Sequence, residues 1–245
     1  YLPPIQAVKL RSKNFLPEWC TLEKIETPKT EVLSSKNAIE KIQGLIGFPC
    51  FIKGSIAGAA LAHDAYEAKV LFDKISYLWG FPVIAQKKIF GSDFVLACVA
   101  NDQHKILGSI CVKKAATNSL GKCQMGIIVE NDTVYKMAAH IVEKLQWRGA
   151  LEIEVVYDPF RKKYFLIEIN SRFPAWISIS SQLSYPLVEQ YVDLALGKEV
   201  AALKPCPSGY FFSRNTKETF FDAQDFATLA THGQLLEDDI YYEES

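Results

Sequence analysis

Residues 151–170 read LEIEVVYDPFRKKYFLIEIN, two apolar runs on either side of the turn DPFRK (158–162). Alternating runs separated by a short turn predict a β-hairpin. Alternation puts Glu152 and Glu154 on one face of the first strand, opposite Leu151, Ile153 and Val155. On the returning strand Glu168 and Asn170 share a face, opposite Ile167 and Ile169. With the turn centred near Arg161, Glu154 faces Glu168 and Glu152 faces Asn170. Like charges directly opposite each other on a sheet are destabilising, so acids set into strands this apolar imply a cation between them. Two carboxylates and an amide suit Mg2+, which takes one or two carboxylates plus substrate phosphates. The competing reading is a solvent-facing strand surface carrying ordinary charge. Arg172, two residues beyond Asn170, offers a planar fork for a phosphate or carboxylate.

Upstream of the hairpin, DTVYKMAAHIVEKLQWR predicts a helix from about Asp132 to Arg148, ended by Gly149. The runs FPVIAQKKI (81–89), FVLACVA (94–100) and KILGSICVKK (105–114) predict strands, and the polar stretch ATNSLGKCQ (116–124) a loop. Asp64 with Glu67 three residues on forms a capping box for a helix whose apolar face carries Ala68, Leu71, Phe72, Ile75 and Leu78. SSKNAIEKIQG (34–44) predicts a short helix, and Pro3, Pro4, Pro17 and Pro28 break residues 1–30 into pieces. Downstream, residues 185–196 predict a third helix closed by Gly197, and the tail LEDDIYYEES a solvated acidic end. The order strand, helix, three strands, loop, helix, hairpin, helix is an α+β arrangement with a largely antiparallel sheet. Lys53 ends the apolar strand FPCFIK (48–53) before the small-residue loop GSIAGAA (54–60). A lysine there reaches phosphate oxygens that backbone N–H groups approach through the loop; the alternative is an ordinary turn.

The composition excludes several classes. The chain has 245 residues, 49% hydrophobic and 22% charged, so disorder does not describe it. At a typical ~150 residues per domain, that length predicts roughly one to two domains. Lys+Arg 27 against Asp+Glu 28 leaves a net charge of −1, no bulk field for nucleic acid. The basic pairs Lys87/Lys88, Lys113/Lys114 and Arg161–Lys163 fall on different elements. No run approaches the ~20 apolar residues that cross a bilayer. The six cysteines contain no C-x-x-C pair and read as reduced thiols of a cytoplasmic protein. The four histidines show no metal-ligand pairing, and G-x-G-x-x-G, Walker A, H-E-x-x-H and G-x-S-x-G are absent. The start at Tyr1 reads as that of a fragment or processed product.

Taken together, the pieces resemble the ATP-grasp superfamily, in its carbamoyl-phosphate-synthetase-like and biotin-carboxylase-like branch. IEINSRFPAW (167–176) is similar to that family's hydrophobic-E-[IM]-N-x-R-F strand end, and GFPCFIK (47–53) to its G-F-P-x-x-[IV]-K strand. IETPKT (25–30) resembles the segment before that strand, VIAQKKIFGSDF (83–94) the hinge, and LVEQYVDLALGKEV (187–200) the closing helix. The resemblance spans roughly residues 10–200. It implies an α+β fold of two subdomains whose mainly antiparallel sheets clamp a nucleotide. The organisation it suggests is a junction over 1–30, a small subdomain over 31–90, a large metal-bearing subdomain over 91–200 and a C-terminal extension over 201–245. A Rossmann-like domain that normally precedes the fold would then be missing, supplied by a partner chain or domain.

The resemblance further implies ATP and Mg2+ (or Mn2+) as cofactors. Lys13 and Lys53 match lysines on the phosphates, and residues 54–60 the loop that closes over them. Gln86, Lys87, Lys88 and Ile89 match the adenine-reading hinge, Asp93 the ribose-binding acid. Glu154, Glu168 and Asn170 match the metal ligands, and Arg172 the arginine that stabilises the transferred group. Lys87 stands where an acid is common, and Asp93 is one methylene shorter than the usual glutamate. The implied activity is a cytoplasmic carboxylate–amine ligase acting on small molecules through an acyl phosphate, with Lys53 and Arg172 as catalytic groups. The alternative is a degenerate ATP-grasp module that binds nucleotide and regulates a partner.

Overall fold

The computed structural model describes residues 1–55, 57–118, 121–215, 220 and 222–233. Tyr1–Ser213 forms one body and Arg214–Ser245 a second. In the first, helices α1 (Ile5–Leu10) and α2 (Leu16–Leu22) precede strand β1 (Thr30–Leu33). Proline marks the start of both helices, with Pro4 at the cap of α1 and Pro17 in the first turn of α2. A 3-10 turn (Lys36–Lys41) and helix α3 (Ile42–Leu45) lead into β2 (Cys50–Gly54), β3 (Ala59–Ala62), α4 (Ala65–Trp79) and β4 (Val83–Lys87). At the start of α4, Asp64 Oδ1 accepts from Glu67 N at 2.9 Å, while Glu67 Oε2 accepts from His63 N at 2.8 Å. The capping box is thus reciprocal, offset by one residue from the usual partner.

The four strands form a small antiparallel sheet in the order β1-β4-β2-β3. One face packs Cys50, Ile52, Val83 and Ala85 against Ile39, Ile42, Phe72 and Ile75. The other face carries Phe51, Lys53, Ile84 and Gln86, since neighbours alternate along a strand.

A second antiparallel sheet has the order β10-β7-β6-β5-β8-β9. Its strands are β5 (Ser92–Ala100), β6 (Ile106–Thr117), β7 (Cys123–Ile128), β8 (Gly149–Asp158), β9 (Lys163–Asn170) and β10 (Phe211–Ser213). Helix α5 (Asp132–Lys144) covers one face, burying Ile141 with Leu96, Cys98, Trp147, Leu151, Ile153 and Leu166. Asn131 caps it through Val134 N at 3.1 Å and ties it to Tyr164 Oη at 2.9 Å. On the opposite face Val95, Ala97, Val99, Ile110 and Val112 meet Trp176, Ile179 and Leu187, from the segment holding α6 (Ile179–Gln182) and α7 (Leu187–Ala195). In the second body, α8 (Ala223–His232) is capped by Asp222, which accepts from Gln224 N and Asp225 N.

Several expectations need correction. Ala59 and Ala60, read as loop, begin β3; cross-strand pairing to Lys53 and Ile52 overrides the weak strand preference of alanine. Of the expected loop 116–124, Ala116 and Thr117 finish β6 while Cys123 and Gln124 begin β7. Helix α5 stops at Lys144 rather than Arg148: Gln146 turns to φ +48°, buried Trp147 leaves the helix, and Gly149 opens β8. Most of the segment 34–44 is a 3-10 turn. Within the segment expected as an extension, residues 211–213 form an edge strand of the large sheet. The acidic tail 236–245 lies outside the described residues.

Candidate active site

The hairpin β8–β9 has the register that places Glu154 opposite Glu168 and Glu152 opposite Asn170. Near the turn the partners are Asp158 with Lys163 and Tyr157 with Tyr164, and Ile167 bulges between the two halves. That one extra residue carries the acids into register. Asp158 shapes the turn, accepting from Phe160 N at 2.9 Å and Arg161 N at 3.1 Å. Across the sheet, Val95 pairs with Glu154 and with Val112, so Asp93, Glu154 and Lys114 project from one face.

Cations from three other stretches meet these acids. Lys114 Nζ lies 2.7 Å from Glu154 Oε2. Lys13 Nζ lies 3.9 Å from Glu168 Oε1. Arg172 donates to Glu152 Oε2 at 2.6 Å and to Phe173 O at 3.0 Å. From the small sheet, Lys53 donates to Gln86 Oε1 at 2.6 Å, and Gln86 in turn donates to Thr30 Oγ1 at 3.1 Å. Burial pulls the Lys53 ammonium down to about 8, with the charge of Lys13 pushing the same way and those of Glu168 and Glu154 opposing it. The two sheets therefore present their polar residues to a common space.

Electrostatics mark the same cluster. Glu152 is 5% exposed, and burial pushes its carboxyl up to about 7, partly offset by Arg172. Asp93 is also raised, by burial first, with Lys114 opposing and Glu154 adding. Burial lowers Lys114, yet the charge and hydrogen bond of Glu154 more than reverse that, so its ammonium is held. Such opposed shifts in one cluster are characteristic of functional sites.

The hinge residues divide. Gln86 faces the cluster. The N–H groups of Lys87 and Lys88 are occupied by Lys29 O at 2.8 Å and Pro49 O at 3.3 Å. Among the described residues Ile89 N–H has no acceptor, the donor a base edge requires. The Lys88 ammonium lies 4.9 Å over the Phe90 ring. Lys87 is not brought into the cluster: it shares the face of Ala85, and its Nζ donates to Phe48 O at 3.5 Å. Gly91 closes the hinge because a Cβ there would sit 1.8 Å from Tyr157 O.

Lys114 was not read as a site residue from the sequence, and Glu152, placed there on the face of Glu154, was given no role. Both were reachable from strand alternation, since Ile110, Val112 and Lys114 share one face of β6 and Glu152 shares that of Glu154. As for a metal, Glu154, Glu168 and Asn170 supply oxygen only, the donor set Mg2+ accepts when phosphates complete its shell. Among the described residues no cluster of three His, Cys, Asp or Glu forms a self-sufficient metal site. Glu152 is committed to Arg172, which leaves two carboxylates and the amide.

Residues 128–203 match the family model described as carbamoyl-phosphate synthase L chain, ATP binding domain. The chain is similar to the carbamoyl phosphate synthase arginine-specific large chain of Lactiplantibacillus plantarum, 31% identical over 78 residues. That match covers 30% of this chain and 8% of the relative. It is also similar to D-alanine–D-alanine ligase of Bacillus pumilus, 21% identical over 188 residues, or 66% of this chain and 51% of that one. Among solved structures, the biotin carboxylase domain of 2-oxoglutarate carboxylase from Hydrogenobacter thermophilus, bound to MgADP, ADP and bicarbonate, matches with a TM-score of 0.69. There the identity is 14%, over 81% of this chain and 48% of the other. The chain spans about half the length of the last two relatives and far less of the first. Among the described residues no helix is long and apolar enough to cross a membrane.

Proposed function

We propose, on the premise that this chain has the ATP-grasp fold with a segment similar to the carbamoyl-phosphate synthase ATP-binding domain, that it is an ATP- and Mg2+-dependent ligase. In this reading a small carboxylate is activated as an acyl phosphate and an amine displaces phosphate from it. Residues 31–90 cover the nucleotide and residues 91–200 carry the metal platform. The observation that carries the reading is the pairing of Glu154 with Glu168, beside Asn170, on a face that also collects Lys13, Lys53, Lys114 and Arg172.

Glu154, Glu168 and Asn170 are the residues to hold Mg2+, which when bound neutralises charge on the phosphates. Lys53 sits at the end of β2 beside the β2–β3 connection and supplies a buried positive charge to phosphate oxygens. Its low affinity for a proton reflects desolvation, and an anion beside it restores the charge. Lys13 adds a second charge on the same side. Arg172, anchored by Glu152 and with its side chain 59% exposed, orients an acyl or phosphoryl oxygen by a planar fork. Ile89 N–H and the Gln86 side chain face the base end, and Asp93 stands at the ribose position. No side-chain nucleophile is required; catalysis rests on alignment and charge neutralisation. Six cysteines outside any disulfide, five of them buried, support a reducing, cytoplasmic setting.

The test is Glu168→Gln, which keeps shape and removes one charge. It is expected to retain the wild-type circular dichroism spectrum and to lose ADP release stimulated by a panel of carboxylates and amines. Wild-type turnover in this variant would refute the reading. One observation favours the second reading, a nucleotide-holding regulatory module: Glu154 already spends an oxygen on Lys114. Calorimetric titration with MgATP that gives metal-dependent heat, without ADP release under any substrate pair, would favour it.

A further inference from the structure

A second cavity, of about 840 Å3, opens between the end of α3, the linker 26–29, the hinge and the β8–β9 turn. Residues of the acid cluster do not line it; Lys29, Lys87, Arg161 and Lys163 do, against a single carboxylate, Glu26. Glu26 is paired with Lys163, and Arg161 is held by Asp158 at 2.8 Å. Lys29 and Lys87 are left without an ion pair among the described residues. Lys29 donates to Leu45 O at 3.0 Å and Lys87 to Phe48 O at 3.5 Å, which leaves further N–H donors on each ammonium. The chain as a whole carries a net charge of −1, so this local excess of positive charge is not a general property of its surface.

We propose that this cavity binds a small phosphate ester, with Lys29 and Lys87 on the phosphate. Lysine serves phosphate as a compact point charge, and two lysines without carboxylates repel each other until an anion enters. Beside Lys87 the wall is formed by Gly47, whose φ of +68° favours glycine. Phe165, Ile89 and Leu45 give the cavity apolar walls for the organic part. Its volume lies in the range of about 300–1,000 Å3 that small-molecule sites occupy. The inference also accounts for the lysine at position 87, whose side chain has no role in the cluster. A ligand there would join the two crossings between the sheets, already linked by Lys87 N–H to Lys29 O.

The experiment titrates the whole chain with inorganic pyrophosphate in the absence of Mg2+, by calorimetry and by amide chemical shifts. A site is expected that weakens with salt and survives Lys53→Met within twofold. The double variant Lys29→Ala/Lys87→Ala is expected to weaken it at least tenfold, and the amides of Lys29, Gly47 and Lys87 to shift in the wild type. No saturable binding, or binding lost in Lys53→Met and kept in the double variant, overturns the proposal. Should the double variant fail to fold, unmoved amides at those three positions in the wild type overturn it equally.

Discussion

Replacing Lys53 by methionine is expected to stabilise the free protein while removing the charge proposed to meet the triphosphate beside the acid cluster. Lys53 is 9% exposed and its ammonium donates to Gln86 Oε1 at 2.6 Å, with no carboxylate at ion-pair distance among the described residues. Burial takes it from the ordinary 10.5 to about 8. Multiplied by about 1.4 kcal/mol for each pH unit, that difference is a penalty of about 3 kcal/mol on folding with the charge in place. Below pH 8 both states hold the proton and the penalty is complete. Between about 8 and 10.5 the unfolded chain binds more protons than the folded one, so stability rises with pH; above that range the penalty has gone. Methionine carries no charge, but it leaves Gln86 Oε1 without its donor, a loss of about 1–3 kcal/mol. The net gain at pH 7 is about 0–2 kcal/mol, which for a chain of this size raises Tm by up to about 8 °C. Thermal unfolding of both proteins at pH 7 and at pH 10.5 checks this, because titrating groups away from Lys53 cancel between them. The variant is expected to melt higher at pH 7 and lower at pH 10.5. A gap of the same sign and size at both pH values would refute the reasoning.

Other positions give independent tests. Gly91→Ala places a methyl group 1.8 Å from Tyr157 O, with backbone on both sides, and is expected to lose about 3 kcal/mol or more; a wild-type urea midpoint would contradict the packing. Asn131→Ala removes both the cap on Val134 N and the bond to Tyr164 Oη, so a fall of about 1–2 kcal/mol is expected in urea unfolding. Burial pushes the thiols of Cys20 and Cys111 up to about 12 and that of Cys98 higher still, while Cys206 is half-exposed and reaches about 11. Ellman's reagent at pH 8 is expected to label Cys206 first and the five buried thiols only on unfolding; rapid labelling of several in the native protein would count against this core.

The hairpin was legible because its pattern is local: two alternating runs, one turn and four polar side chains at matched parity. Even so, its register depends on Ile167. The strands pair about a turn centred between Phe160 and Arg161, and the bulge then moves the acids to the partners that a turn centred on Arg161 predicts. What escaped the sequence was held by distant partners. Strand β10 is three residues long and exists by pairing with β7, more than eighty residues earlier. Strand β3, AALA, has no β-branched or aromatic residue to announce it, and β1 is fixed by β4. Helices α1 and α2 are seven residues or shorter, too brief to show a period. Lys114 was reachable by alternation within β6, but that it meets Glu154 required the register of β6, β5 and β8 at once.

The opposed carboxylates are tolerable in the free protein because each has a cation drawn from a different stretch: Lys13 after α1, Lys114 on β6, Arg172 beyond β9. The three pairs are unequal. Lys114 and Arg172 hold Glu154 and Glu152 at 2.7 and 2.6 Å, whereas Lys13 stands 3.9 Å from Glu168. Coulomb attraction falls with distance, so Lys13 holds Glu168 less tightly than Lys114 and Arg172 hold their carboxylates. Glu168 is therefore the carboxylate freest to turn toward an incoming cation. On the proposed reading, Glu154 would follow only when a phosphate offered Lys114 another anion, and metal and triphosphate binding would then depend on each other. Such a site would hold two facing acids stably without a metal and still accept one with its substrate.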